Sequence, residues 1–171
     1  MMVVALLPMA SCSENEPMDY AGQPALYFDN EDISYSFFYS EDGGDRSSVD
    51  ITVHAMGPVS DHDRAFTLYQ ENVGETDAAQ ASVLYVGLDT DVMKQAMVIP
   101  AGKSEVKLPI VLLKDNSLDT QTVKLKIGVR PNENFGAGVV EKDSTVISFS
   151  SQAIKPTNWK DWYYAFGASW G

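Results

Sequence analysis

From about Leu26 onward, apolar and polar residues alternate with a period of two, the pattern of a strand with one buried face. "ISYSFFYS" places Ile33, Tyr35, Phe37 and Tyr39 on one side and Ser34, Ser36 and Ser40 on the other. "VDITVHA" turns Val49, Ile51, Val53 and Ala55 inward and Asp50, Thr52 and His54 outward. "EVKLPIVL" repeats the scheme with Val106, Leu108, Ile110 and Leu112, and "TVKLKIGVR" sets Val123, Leu125, Ile127 and Val129 against Thr122, Lys124 and Lys126. Further strands are predicted at 25–29, 64–71, 95–99 and 144–149.

Turn chemistry separates these runs: "EDGGD" at 41–45, "MGP" at 56–58, "PAG" at 100–102, "KDNS" at 114–117 and "NENFGAG" at 132–138. Alternation on several strands favours antiparallel pairing, and no long helical pattern lies between strands to cover a parallel sheet. The predicted fold is therefore all-β, an antiparallel immunoglobulin-like sandwich of two sheets packed face to face. The period changes only in "PTNWKDWYYAFGASWG", where Trp159, Trp162, Tyr163 and Phe166 recur at i, i+3, i+4 and i+7, predicting a short C-terminal amphipathic helix.

Length and composition fit this picture. A chain of 171 residues suits one domain with a sizeable core, and 44% hydrophobic with 21% charged residues argues against general disorder. The net charge of −12 repels phosphate backbones, so nucleic acid is not an expected partner. The asymmetry is local too, since no Lys or Arg precedes Arg46.

The N-terminal run 1–10 is apolar but far shorter than the roughly 20 residues a spanning helix needs. It has the length of a signal-peptide core, and Ala10 and Ser11 are small residues of the type found before a cleavage site. Cleavage would leave Cys12, the only cysteine, at the new N-terminus, where it resembles the lipidated cysteine of bacterial lipoproteins. Met9 departs from the usual Leu and no basic residue opens the segment, which places the expected true start upstream. The acids of "SENEP" after Cys12 resemble the export signal of Bacteroides-type surface lipoproteins. The expected organisation is a lipoprotein signal at 1–11, an acidic tether at 12–24, a sandwich at 25–151 and an aromatic segment at 152–171.

Catalysis has little to rest on. His54 falls on the polar face of a strand, where a solvated imidazole is expected, and His62 in "SDHDR" is flanked by Asp61 and Asp63. Neighbouring positions diverge and no second histidine stands at ligand spacing, so a charged turn is the better reading and no catalytic or metal-ligating residue is assigned. Asp42, Asp45, Asp115 and Asp119 would bind calcium only if their loops met, and their spacing matches no calcium loop. No cofactor is expected. The three tryptophans, Trp159, Trp162 and Trp170, all lie in the last thirteen residues beside Tyr163 and Tyr164. Exposed, Trp159, Trp162 and Tyr163 would stack on sugar rings or anchor a partner; buried, they would staple a helix to the sandwich.

"LYFDN" at Leu26, "YSFFY" at Tyr35, "DRAFTLYQ" at Asp63, "VIPAGKSEVKLPIVLLKD" at Val98 and the ending "KPTNW…FG" together resemble Bacteroides-type lipoproteins carrying the domain of unknown function numbered forty-eight forty-three. The resemblance implies a sandwich domain on an outer-membrane surface lipoprotein, often encoded beside nutrient importers of the starch-utilisation type. It implies a non-enzymatic accessory role, binding a glycan or a transporter component, with outer-membrane lipid held through acylated Cys12. The alternative is a structural or adhesive surface module with no small ligand. Members usually continue beyond "FG" with helical sequence, so the aromatic segment is expected to be cut short.

Overall fold

The computed structural model describes residues 22–29, 32–40 and 44–153. The predicted C-terminal helix, Cys12, Trp159, Trp162, Tyr163 and Asp42 lie outside the described residues. Within them the fold is an all-β sandwich, with strands β1 (Ala25–Phe28), β2 (Ile33–Ser36), β3 (Arg46–Met56), β4 (Arg64–Ala65) and β5 (Thr67–Gln70). A short helix α1 (Asp91–Ala96) follows, then β6 (Val98–Ile99), β7 (Glu105–Leu113), β8 (Val123–Arg130) and β9 (Ser144–Ser150).

One sheet has the order β1-β3-β7, a second β2-β9-β8-β5, and β4 and β6 form a small third ladder. The longest pairing runs from Arg46 opposite Leu113 to His54 opposite Glu105, so the alternation of β3 and β7 falls in phase. The inward set matches the sequence pattern: Leu26, Phe28, Ile51, Val53, Leu108, Ile110 and Leu112 from one sheet pack against Leu125, Ile127, Ile147 and Phe149 from the other in a single apolar cluster. Burial of each such side chain stabilises the fold by about 1.5–3 kcal/mol, which is why the pattern prevails along these strands. The "PAG" turn forms as expected: Lys103 N–H donates to Pro100 C=O and Gly102 supplies the positive φ of 74°.

Four expectations are corrected. The strand from Ile33 stops at Ser36, because the Ser36 hydroxyl accepts from Phe38 N–H and caps a 3₁₀ turn over Phe37–Tyr39. Phe37 is buried there while Phe38 and Tyr39 are exposed, so Tyr39 does not share an inner face with Ile33. The predicted 64–71 strand breaks at Phe66, whose N–H donates to Met97 C=O; its first part pairs with β6 and its second with β8. The predicted 95–99 strand is instead the end of α1 followed by the two residues of β6. Finally, the strand pairs are antiparallel except β2 and β9, which run parallel, from Ile33 opposite Ile147 to Ser36 opposite Ser150. β1 and β2 thus belong to different sheets, and a chain that crosses between sheets enters the second from the same end as β9.

Candidate functional site

β5 is an edge strand, and the connection 71–97 that follows it straps the open side of the sandwich. At one end the strap pairs with β8, where Ala79 N–H donates to Lys124 C=O and Lys124 N–H to Asp77 C=O. At the other it joins β7, where Val86 N–H donates to Val111 C=O and Leu113 N–H to Leu84 C=O. Between strap and β5 lies a cleft of about 590 Å³, whose lining includes every residue from Ala65 to Gln70 and, opposite, Tyr85, Leu88, Asp89, Lys94 and Met97.

The cleft meets β5 along its edge. Glu71 N–H donates to Lys126 C=O, and the antiparallel alternation turns the main chains of Thr67 and Tyr69 toward β8. Those of Leu68 and Gln70 point the other way, presenting N–H and C=O groups to whatever the cleft holds.

A buried polar network fixes the strap. The Tyr85 hydroxyl donates to Gln70 Oε1 at 2.8 Å, and Gln70 Nε2 donates to Ala79 C=O at 2.8 Å and to Asn72 Oδ1 at 3.2 Å. Asn72 Nδ2 donates to Lys124 C=O, and its Oδ1 also accepts from Lys126 N–H. Asn72 is 3% exposed, so these bonds satisfy groups that water does not reach. Burial, then the charge of Asp89, pushes the Tyr85 phenol above its ordinary pKa of 10.0 and keeps it a neutral donor.

On the outer face beside the cleft, Lys126 Nζ pairs with Glu71 at 2.9 Å and Glu71 accepts from the Tyr69 hydroxyl at 3.3 Å. The Arg130 guanidinium stands 5.0 Å from the Tyr69 ring centre. Glu71 lies over Gly128, where a Cβ would come within 2.1 Å of its carboxylate oxygen. The residue opposite Tyr69 must therefore be small for this row to form.

The sequence candidates are placed elsewhere. His54 is not solvated: its side chain is 18% exposed, its ring stacks on Tyr27 at 4.8 Å, and Nδ1 and Nε2 lie 3.2 Å from Glu105 and Asp29 respectively. The two nitrogens face opposite ways, so these carboxylates do not converge with the ring on one ion. His62 is exposed, with Nδ1 at 2.8 Å from Asp61, whose carboxyl the imidazole holds below its ordinary pKa of 3.8. Asp63 instead accepts from Ala101 N–H, so the two acids do not converge on His62. Asp115 caps the 3₁₀ turn Asn116–Asp119 by accepting from Ser117 N–H. Among the described residues no three His, Cys, Asp or Glu side chains assemble as a metal site. The sequence reading missed Tyr69, Gln70, Tyr85, Lys94 and Arg130; only the outward position of Tyr69 in "DRAFTLYQ" was open to it.

The fold has a relative among solved structures. The crystal structure of a "putative carbohydrate binding protein" from Bacteroides ovatus aligns with 75% of this chain at a TM-score of 0.50 and 12% identity, a likeness of fold alone. The alignment spans 37% of that longer chain. No curated protein matches the sequence. A family model matches residues 17–169, and the chain belongs to that family, described as Domain of unknown function (DUF4843).

Proposed function

We propose that the domain is a non-enzymatic glycan-binding module of an outer-membrane surface lipoprotein, accessory to nutrient capture, and that the strap cleft holds the sugar. The carrying observation is the cleft, where the Tyr69 ring and an open main-chain edge stand together with Gln70, Asp89, Lys94 and Arg130. Aromatic faces suit the C–H face of a pyranose, and fixed donors and acceptors suit its hydroxyls. The name carried by the Bacteroides ovatus relative supports the same reading. The immunoglobulin-like description is supported by strand order: β1-β3-β7 corresponds to strands A, B and E, and β9-β8-β5 to G, F and C. The lipid anchor draws on Cys12 and its apolar leader, and its test is the release of a Cys12→Ser protein from the membrane fraction.

The cleft is tested by titrating the full chain with an oligosaccharide panel and following amide resonances. Saturable shifts at Leu68, Gln70 and Lys94, weakened at least tenfold by Tyr69→Ala, are the expected result. Indifference of these amides to every sugar overturns it. The open edge of Leu68 and Gln70 favours a second reading, in which a transporter component adds a strand there. In that case co-purification with the transporter would fail on Leu68→Pro.

A further inference from the structure

Charge in the cleft runs against charge in the rest of the chain. The protein carries 24 acids and 12 bases, yet the cleft is lined by Lys94 and Arg130 against a single carboxylate, Asp89. β8 shows what these cations lack. Its Lys124 and Lys126 are each neutralised from the β5 side, by Asp77 at 2.8 Å and Glu71 at 2.9 Å. Arg130, further along the same face, lies opposite Thr67 and has no carboxylate within ion-pair distance among the described residues. Its charge rests over the Tyr69 ring instead, 5.0 Å from the ring centre, a contact with a π-face that uses up no carboxylate. Lys94 comes from α1 on the opposite wall and is likewise exposed and without a carboxylate partner among the described residues. An acidic group on a sugar stacked at Tyr69 would meet a guanidinium on one side and an ammonium on the other.

We infer that the cleft of this domain selects an anionic sugar, one bearing a carboxylate or a sulfate ester, through Arg130 and Lys94. This rests on the glycan reading of the same cleft and narrows it. Tyr69 and the Leu68 and Gln70 main chain hold the ring, and the two cations choose its charge. Because the protein's net charge repels anions generally, selection comes from the local pair and belongs to short oligosaccharides seated in the cleft.

The test measures Kd by calorimetry for the full chain with uronate oligosaccharides, their neutral methyl esters, sulfated oligosaccharides and neutral oligosaccharides. Amide shifts locate each ligand. The expected result is at least tenfold tighter binding of one anionic class than of its neutral counterpart, a preference abolished in R130Q/K94Q with thermal unfolding unchanged. A preference for uronates names the carboxylate and a preference for sulfated sugars names the ester; either upholds the inference. Equal binding of neutral and anionic sugars at the cleft, indifferent to R130Q/K94Q, overturns it and leaves the glycan reading standing. Silence of the cleft amides toward every class overturns both.

Discussion

The β3–β7 ladder and the 71–97 strap are adjacent and are held by opposite means. The ladder runs through nine register pairs, with an inward apolar row that includes Val49, Ile51, Val53, Leu108, Ile110 and Leu112, and each pair is supported by those beside it. The strap has no repeating rule: irregularly spaced side chains such as Leu84, Leu88 and Met97 reach the core, and the Tyr85–Gln70–Asn72 network with a few main-chain bonds at either end fixes the rest. The ladder's stability is therefore distributed and the strap's is concentrated, so the cleft can be altered while the sandwich stands.

The largest expected effect belongs to the ladder. Leu108→Ala, at a fully buried position, should destabilise the protein by about 2–5 kcal/mol in chemical denaturation. A loss below about 1 kcal/mol would mean that the sheets are not packed at that point. Next comes Asn72→Ala, which strips partners from Lys124 C=O, Lys126 N–H and Gln70 Nε2 and should cost about 1–3 kcal/mol. Hydrogen exchange should then rise across 71–97 while β3 and β7 amides stay protected; loosening of both together would erase the contrast.

A smaller effect is expected at alkaline pH. The Tyr85 phenol has a folded pKa above its unfolded 10.0, so its contribution is whole below pH 10 and declines as pH rises toward and through the folded value. Tyr85→Phe should flatten that decline, and identical alkaline unfolding of the two proteins would contradict it. The smallest effect belongs to Asp77, where the Lys124 ammonium holds an exposed carboxyl below 3.8. Its contribution is present above pH 3.8 and fades as pH falls through the lowered value, so Asp77→Asn should lower stability slightly above pH 3.8, reduce acid sensitivity, and come nearest to the parent in the most acid part of an acid-unfolding curve.

The same contrast explains what was legible in the sequence. β1, β3, β7, β8 and β9 follow from alternation because burial on one face imposes the period that the pattern records. The parallel β2–β9 pair was not legible, since the alternation of a strand does not state the direction of its neighbour. Nor was the stop at Ser36, where a single hydroxyl bond overrides a continuing pattern. The cleft was hidden because Tyr69 and Tyr85 lie sixteen positions apart across an aperiodic stretch, and Arg130 reaches Tyr69 only through the β5–β8 register. The dense aromatics of 156–171 drew the binding assignment by composition, and they lie outside the described residues.

The crossing of the chain between sheets has a mechanical side. In a parallel pair, the start of β2 and the end of β9 lie at opposite ends of the ladder. A domain held from the β2 side and pulled from the β9 side carries the load along the strands, so the hydrogen bonds from Ile33 to Ser36 bear it together in shear. An antiparallel pair gripped at one end would open one bond at a time. β2, weak by its four-residue length, therefore closes its sheet along the direction of a pull applied between it and β9.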